Sequence, residues 1–318
     1  MKQEKYYIID PLNMIVKAFD KMNNWGKVLV LIVIFLIVLS LLKPFRTSKE
    51  GFEQNEQFVF KSGPEVYDGF YADIYDQLVF NNLKDEYEIG EIVNNTSPSS
   101  ESIIADIGSG TGHHVAKLKS RGFDNVVGVD ISPDMIKKAK ETYPNLNFKE
   151  GDATNAALFK PSSVTQVLCL YFTIYYIKDK TVFFKNAYDW LMPGGTLIVH
   201  LVDREMFDPI LPPGNPLIVV SPQRYAKKRI THTNVTFNDM NYRSDFELDA
   251  RNNVAVFKEK FKDTETGKIR KNEHVFYMES ESEIVAMAQN AGFIVQSKID
   301  LIKCYYEYRY LYVFQKPE

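Results

Sequence analysis

The chain has 318 residues, 45% of them hydrophobic and 14% aromatic, with 38 Lys and Arg against 41 Asp and Glu for a net charge of -3. That length buries one large core and sets two domains as the upper limit, and the near-neutral charge argues against a nucleic-acid partner. Two cysteines, Cys169 and Cys304, are too few for a disulfide scaffold, and the five histidines show no metal-ligand spacing.

In chain order, residues 1–27 read as an amphipathic tail. Asp10 can cap a helix with Pro11 in its first turn, and Leu12, Ile15, Val16, Phe19 and Met22 then share one face, suited to a membrane surface or a partner helix. Residues 28–42 follow as fifteen positions with only Ser40 polar, between Lys27 and Lys43. At ~1.5 Å per residue this run covers roughly 22 Å of a ~30 Å hydrocarbon layer, and snorkelling lysines with Trp25 and Phe45 at the interfaces extend it. A single-pass transmembrane anchor is therefore expected. The long stretch before it and the absence of a small-x-small site after Ser40 disfavour a cleaved signal peptide. Lys17, Lys21 and Lys27 balance Lys43, Arg46 and Lys49, so charge sets no orientation. Residues 43–64 are polar and aperiodic and are expected to be a linker to a catalytic domain at 65–318.

Within that domain, residues 66–78 form a Tyr- and Asp-rich helical pattern with Tyr71 and Tyr75 one turn apart, on one face. The apolar strand Ile103 to Ile107 then delivers the chain to Gly108, Gly110 and Gly112, which permit positive φ and close backbone approach to a ligand. A helix over 113–121 follows. A second strand, 126–129, ends on Asp130, whose carboxylate is aimed at the same crevice and can accept both hydroxyls of a ribose. The dinucleotide fingerprint G-x-G-x-x-G fails, because its third glycine is replaced by His113 or Val115, and no Gly-Lys-Ser/Thr completes a phosphate loop.

These residues resemble the first motif of the class I S-adenosylmethionine-dependent methyltransferases, acidic-x-Gly-x-Gly-x-Gly, on Asp106, Gly108, Gly110 and Gly112, with the family's ribose acid on Asp130. An acidic residue after the third strand falls on Asp152, and the family's Pro-Gly-Gly turn falls on Pro193, Gly194 and Gly195. The resemblance covers roughly residues 65–205, with a closing helix and two strands at 282–316. It implies S-adenosyl-L-methionine as cofactor, held by Asp106, Gly108, Ser109, Gly110, Gly112, Asp130, Ile131, Asp152 and Ala153, with Tyr75 of the preceding helix closing over it. Such a cofactor favours a cytosol-facing domain; glycan on Asn94, Asn95 or Asn234 would oppose that placement.

Strands and helices alternate to residue 201, which predicts an α/β fold with a doubly wound, Rossmann-like parallel sheet whose ligand crevice lies at the strands' carboxyl ends. Residues 203–280 break the pattern with four period-two runs, an antiparallel insertion expected beside the substrate side of the crevice, as a platform or as an oligomer-forming extension.

Methyl transfer from a sulfonium is an in-line displacement, so orientation and exclusion of water come first and a base is optional. The candidates for it are Tyr175, Tyr176, His200 and Asp203; His200, a lone histidine in an apolar strand, reads more readily as structural. The family's often His-containing segment after strand four is replaced here by residues 171–176, so no base carries over. The expected function is methylation of a small-molecule or membrane-associated acceptor at O or N; the alternative is a non-catalytic adenosylmethionine-binding module at a membrane.

Overall fold

The computed structural model describes residues 19–41, 54–214, 223 and 226–318 of two separate units, 1–49 and 50–318. In the first unit, helix α1 spans Asn24–Leu41, eighteen residues, with side chains described as far as Phe35. Among the described residues no helix is long and apolar enough to cross a membrane. α1 covers the expected membrane span at 28–42 as far as Leu41, with side chains described only to Phe35, and that expectation finds no support among them. The last part of that span, and the tail before Phe19, lie outside the described residues.

Among its described residues the second unit holds two sheets. The larger runs in the order β11-β12-β6-β5-β2-β3-β4, where β2 is Ile103–Ile107, β3 Asn125–Asp130, β4 Asn147–Glu150, β5 Val164–Cys169, β6 Leu191–Val202, β11 Ile294–Asp300 and β12 Arg309–Gln315. The pairs among β6, β5, β2, β3 and β4 are parallel, and β12 pairs antiparallel with both β6 and β11. The order reverses between β5 and β2, so the crevice opens where the glycine loop after β2 leaves the sheet. Five helices matter to it: α2 (Gly69–Val79), α3 (Asn82–Thr96), α4 (His113–Ser120), α5 (Pro133–Thr142) and the single turn α6 (Thr173–Tyr176), followed by α7 (Lys180–Trp190) and, after the insertion, α8 (Glu281–Asn290). Their starts are written in the sequence. The side chains of Asp68, Asn81, Ser132 and Ser280 each accept an amide hydrogen of the first turn they precede.

The smaller sheet runs β1-β10-β9-β8-β7, with β1 Phe58–Ser62, β7 His232–Thr236, β8 Met240–Asp249, β9 Val254–Asp263 and β10 Ile269–Tyr277. The insertion strands are antiparallel, as their period-two pattern predicts, but β1 joins in parallel with Phe58 opposite Ile269. Part of the expected linker is therefore a sheet edge; a five-residue strand is too short to show a period. Phe257, Phe261, Tyr242 and Phe246 of this sheet belong to one core with Tyr71, Phe172 and Tyr175, so the insertion is packed onto the crevice side of the domain.

Candidate active site

A cavity of ≈ 470 Å³ lies between the two sheets, bounded by the glycine loop on one side and by Tyr67, Tyr71, Tyr176 and His274 on the other. Gly108 and Gly110 have φ of 73° and 52°. A Cβ on Gly108 would overlap the Thr173 side chain, and one on Gly110 would stand 3.7 Å from the Tyr75 ring, so the loop is pressed between α6 and α2. The Gly110 amide donates to Asp130 Oδ2 at 2.9 Å and the Ser132 amide to Oδ1 at 2.9 Å. Burial pushes the Asp130 carboxyl up, against these amides, which favour the charged form.

Of the residues expected to hold the cofactor, Gly108, Ser109, Gly110, Asp130, Ile131, Asp152, Ala153 and Tyr75 line the cavity. Asp106 and Gly112 do not. Asp106 is 1% exposed, and burial raises its carboxyl to about 6. Gly112 has φ 90°, and a Cβ there would come within 2.6 Å of Phe148 Cζ, so its glycine serves packing of the loop against the sheet. The Asp152 side chain accepts from the amide and hydroxyl of Thr154, both at 2.8 Å.

Only one of the expected catalytic residues reaches the cavity, Tyr176. Tyr175, fully buried, turns the other way and its hydroxyl accepts from the Val202 amide at 2.9 Å. His200 stacks parallel to Tyr171 with its Nδ1 against the Tyr171 carbonyl, and burial lowers its pKa to about 4. Asp203 accepts from the amides of Glu205 and Met206 and shapes a turn. Neither Tyr175 nor His200 is placed to touch a ligand, because alternation along β6 and rotation around α6 point them into the core.

The structure assembles instead a chain of side chains that no motif announces. Tyr67 OH donates to Tyr176 Oη at 2.6 Å, Tyr176 Oη is 2.7 Å from His274 Nδ1, and His274 Nε2 is 2.8 Å from Glu259 Oε2. Glu259, 2% exposed, also accepts from Tyr242 OH at 2.7 Å, Tyr71 OH at 3.2 Å and Asn272 Nδ2 at 3.2 Å. One signal for it existed: Ala255, Phe257, Glu259 and Phe261 share the inward face of β9, and a carboxylate on an otherwise apolar face requires partners.

At the far end of the cavity Lys84 Nζ lies 2.9 Å from both Asp85 Oδ1 and Glu88 Oε2, with His114 Nε2 3.2 Å from Glu88 Oε2. Asp85, Glu88 and His114 have the mutual spacing of metal ligands, but the Lys84 ammonium already supplies their counter-charge. Burial opposes every charge in this group, yet Lys84 and His114 hold Glu88 down at about 2, and Asp85 with Glu88 lifts His114 to about 10. α2 is tied to the glycine loop by Asp76, which accepts from Thr111 Oγ1 at 2.7 Å and pairs with His113 Nε2 at 2.9 Å.

Residues 104–195 match the family described as "Methyltransferase domain". Over 102 residues the chain is 33% identical to a trans-aconitate 2-methyltransferase of Afipia carboxidovorans, covering 32% of this chain and 39% of that protein. Over 142 residues it is 25% identical to the dTDP-3-amino-3,4,6-trideoxy-alpha-D-glucopyranose N,N-dimethyltransferase of Streptomyces venezuelae, covering 42% and 58%. The chain thus matches less than two thirds of the length of either relative. Among solved structures, an S-adenosylmethionine-dependent methyltransferase from Clostridium acetobutylicum superposes with a TM-score of 0.59 at 18% identity over 78% of this chain and 98% of that one. The CcbJ methyltransferase of Streptomyces caelestis gives 0.60 at 18% identity over 80% and 98%. The matched segment takes in the glycine loop, Asp130 and Asp152, and the fold is that of the solved methyltransferases.

Proposed function

We propose that this chain methylates a small-molecule acceptor, bound in the cavity beside S-adenosyl-L-methionine. The carrying observation is that one cavity holds both the glycine loop with Asp130 and the Tyr67, Tyr71, Tyr176 and His274 wall. The residues fit the cofactor: Ser109 Oγ is buried at the loop with no hydrogen-bond partner, and Asp130 closes β3 beside amides held in a cradle. Asp130 takes the ribose hydroxyls, the backbone of 108–110 approaches the donor closely, and Ile131, Asp152 and Ala153 border the base. When bound, the cofactor supplies an electrophilic methyl group. The protein's part is to orient the acceptor and exclude water, which the aromatic walls do. The names of the two relatives favour a small organic acceptor, one an acid and the other an amino sugar.

The test is calorimetric titration of the full chain with S-adenosylmethionine, S-adenosylhomocysteine and NAD, then S-adenosylhomocysteine release with a panel of small acids, amines and hydroxyl compounds. Binding of the two adenosyl ligands and turnover of a panel member are expected. Binding of NAD alone would overturn the reading.

For localisation, the supporting feature is the apolar run at 28–42, whose described side chains from Val28 to Phe35 are half-buried or exposed on every face of α1. Such a surface calls for a lipid or protein cover. We place it at a membrane, with the catalytic unit in the cytosol; release of the chain into the soluble fraction at high pH, or glycan on Asn94, Asn95 or Asn234, would refute this.

A further inference from the structure

We infer that Tyr67, Tyr176, His274 and Glu259 form a proton relay that drains the acceptor's proton out of the cavity, so that the site takes acceptors bearing a proton on the nucleophilic atom, amines and hydroxyls, rather than carboxylates. This rests on the methyltransferase reading above and deepens it.

The direction of each hydrogen bond follows from the end of the chain. Glu259 is surrounded by donors, Tyr242 OH, Tyr71 OH and Asn272 Nδ2, and its second nearest neighbour after Tyr242 is His274 Nε2 at 2.8 Å. A carboxylate so placed only accepts, so Nε2 carries hydrogen. In the neutral ring Nδ1 is then a lone pair, and it can accept the Tyr176 hydrogen across 2.7 Å. With its hydrogen committed there, the Tyr176 oxygen accepts from Tyr67 OH at 2.6 Å. All the hydrogens point toward Glu259, and the Tyr67 oxygen is left with an unused lone pair on the cavity wall. Burial holds both phenols well above their usual pKa, so they serve as carriers that pass a proton on while remaining neutral.

The relay begins at the right place. The Tyr67 ring lies 6.4 Å from Tyr75, which itself packs over Gly110, so its mouth opens toward the methyl-donor side of the cavity. It is held from several elements: Tyr71 on α2, Glu259 on β9, Tyr242 on β8, and on β10 Asn272, whose Oδ1 accepts from Arg270 Nε at 2.8 Å, while Arg270 pairs with Asp68 at 2.9 Å. The proton count closes. As the acceptor's nitrogen or oxygen gains the methyl of the sulfonium donor, its own N–H or O–H bond breaks and that proton goes to the Tyr67 oxygen. The Tyr67 hydrogen goes to Tyr176 and the Tyr176 hydrogen to His274 Nδ1. His274 becomes imidazolium beside the Glu259 carboxylate. A carboxylate acceptor has no proton to give and gains nothing from this device. Tyr67 touches the acceptor; Tyr176, His274 and Glu259 act through it.

The test has two readouts on the full chain. In ¹⁵N-histidine spectra of the S-adenosylhomocysteine-loaded protein near pH 7.5, an arbitrary working point of about that value, His274 is expected neutral with Nε2 protonated, and Tyr176→Phe shifts its Nδ1 signal. An imidazolium, or a proton on Nδ1, overturns the relay whether or not any acceptor is known. In turnover assays with tyramine, catechol and benzoate as probes, tyramine or catechol is methylated and benzoate is not. Tyr176→Phe then lowers kcat on the order of 10²-fold, with the affinity for S-adenosylmethionine unchanged. Methylation of benzoate alone, or a Tyr176→Phe enzyme matching the parent in kcat and pH profile, overturns the relay and leaves methyl transfer standing. Failure to bind adenosyl ligands instead strikes the methyltransferase reading. Where none of the three probes is methylated, the imidazole spectrum decides.

Discussion

Asp130 and Gly110, twenty residues apart in the chain, are joined by a 2.9 Å hydrogen bond from the glycine amide to Oδ2. The end of β3 thereby fixes the loop that follows β2, so the residue expected to meet a ribose also holds the backbone that the cofactor approaches. Asp130→Ala removes both functions. A hydrogen bond to a charged group contributes about 1.5–3 kcal/mol, so affinity for S-adenosylmethionine should fall at least about tenfold by calorimetry. An alanine variant with the parent's affinity would show that Asp130 is a loop clamp only.

Gly108→Ala is expected to destabilise the domain. Its φ of 73° costs a side chain about 1–3 kcal/mol, and the new Cβ meets Thr173. The melting temperature should drop by roughly 2–10 °C. Adding Thr173→Ala should restore part of the loss, because it removes the Oγ1 and Cγ2 overlaps and leaves a Cβ contact at 2.9 Å together with the backbone strain. Equal melting temperatures for the single and double variants would place the cost in φ and the remaining Cβ contact.

Tyr175 and Tyr176 should separate in their effects. Tyr175→Phe strands the Val202 amide in the core, which costs about 1–3 kcal/mol in urea unfolding. Affinity for the cofactor should stay at the parent's value, since Tyr175 does not line the cavity. A Tyr175→Phe protein with unchanged stability would contradict the bond to Val202.

The buried group around Lys84 makes stability depend on pH. The pKa of His114 is raised from 6.5 to about 10, because Asp85 and Glu88 outweigh burial and the nearby Lys84. A base with a raised folded pKa holds its proton in the native state while the unfolded chain releases it. Its stabilisation is therefore full below about pH 6.5 and is lost as pH rises through about 10. Melting temperature should decline across that window, and His114→Gln should flatten the decline. At the acid end, Glu88 is held at about 2 by Lys84 against burial, so its contribution is present above 4.5 and fades as pH falls toward 2. Parallel profiles for parent and His114→Gln would remove His114 from the account.

The parallel core and the edge that carries the glycine loop were legible from residues near one another in the chain. The strands at 103–107 and 126–129, the helix over 113–121 and the glycine turn before it agree with the structure to within a residue or two. They do so because local rules specify them: apolar runs make buried strands, and glycines mark positive φ. Asp130 was legible because a strand's end is fixed by its neighbours in the chain. Which distant side chains meet was not legible, because it depends on how remote elements pack. Tyr67 reaches Tyr176 across 109 residues, and Tyr176 reaches His274 across 98. Periodicity tells which face of β10 carries His274 but not that α6 and the turn before α2 converge on it. The adjacent pair Tyr175 and Tyr176 shows the same limit in one turn. Successive helical residues point about 100° apart, so one phenol enters the core and the other the cavity, and only the packing of α6 against β6 and β10 decides which.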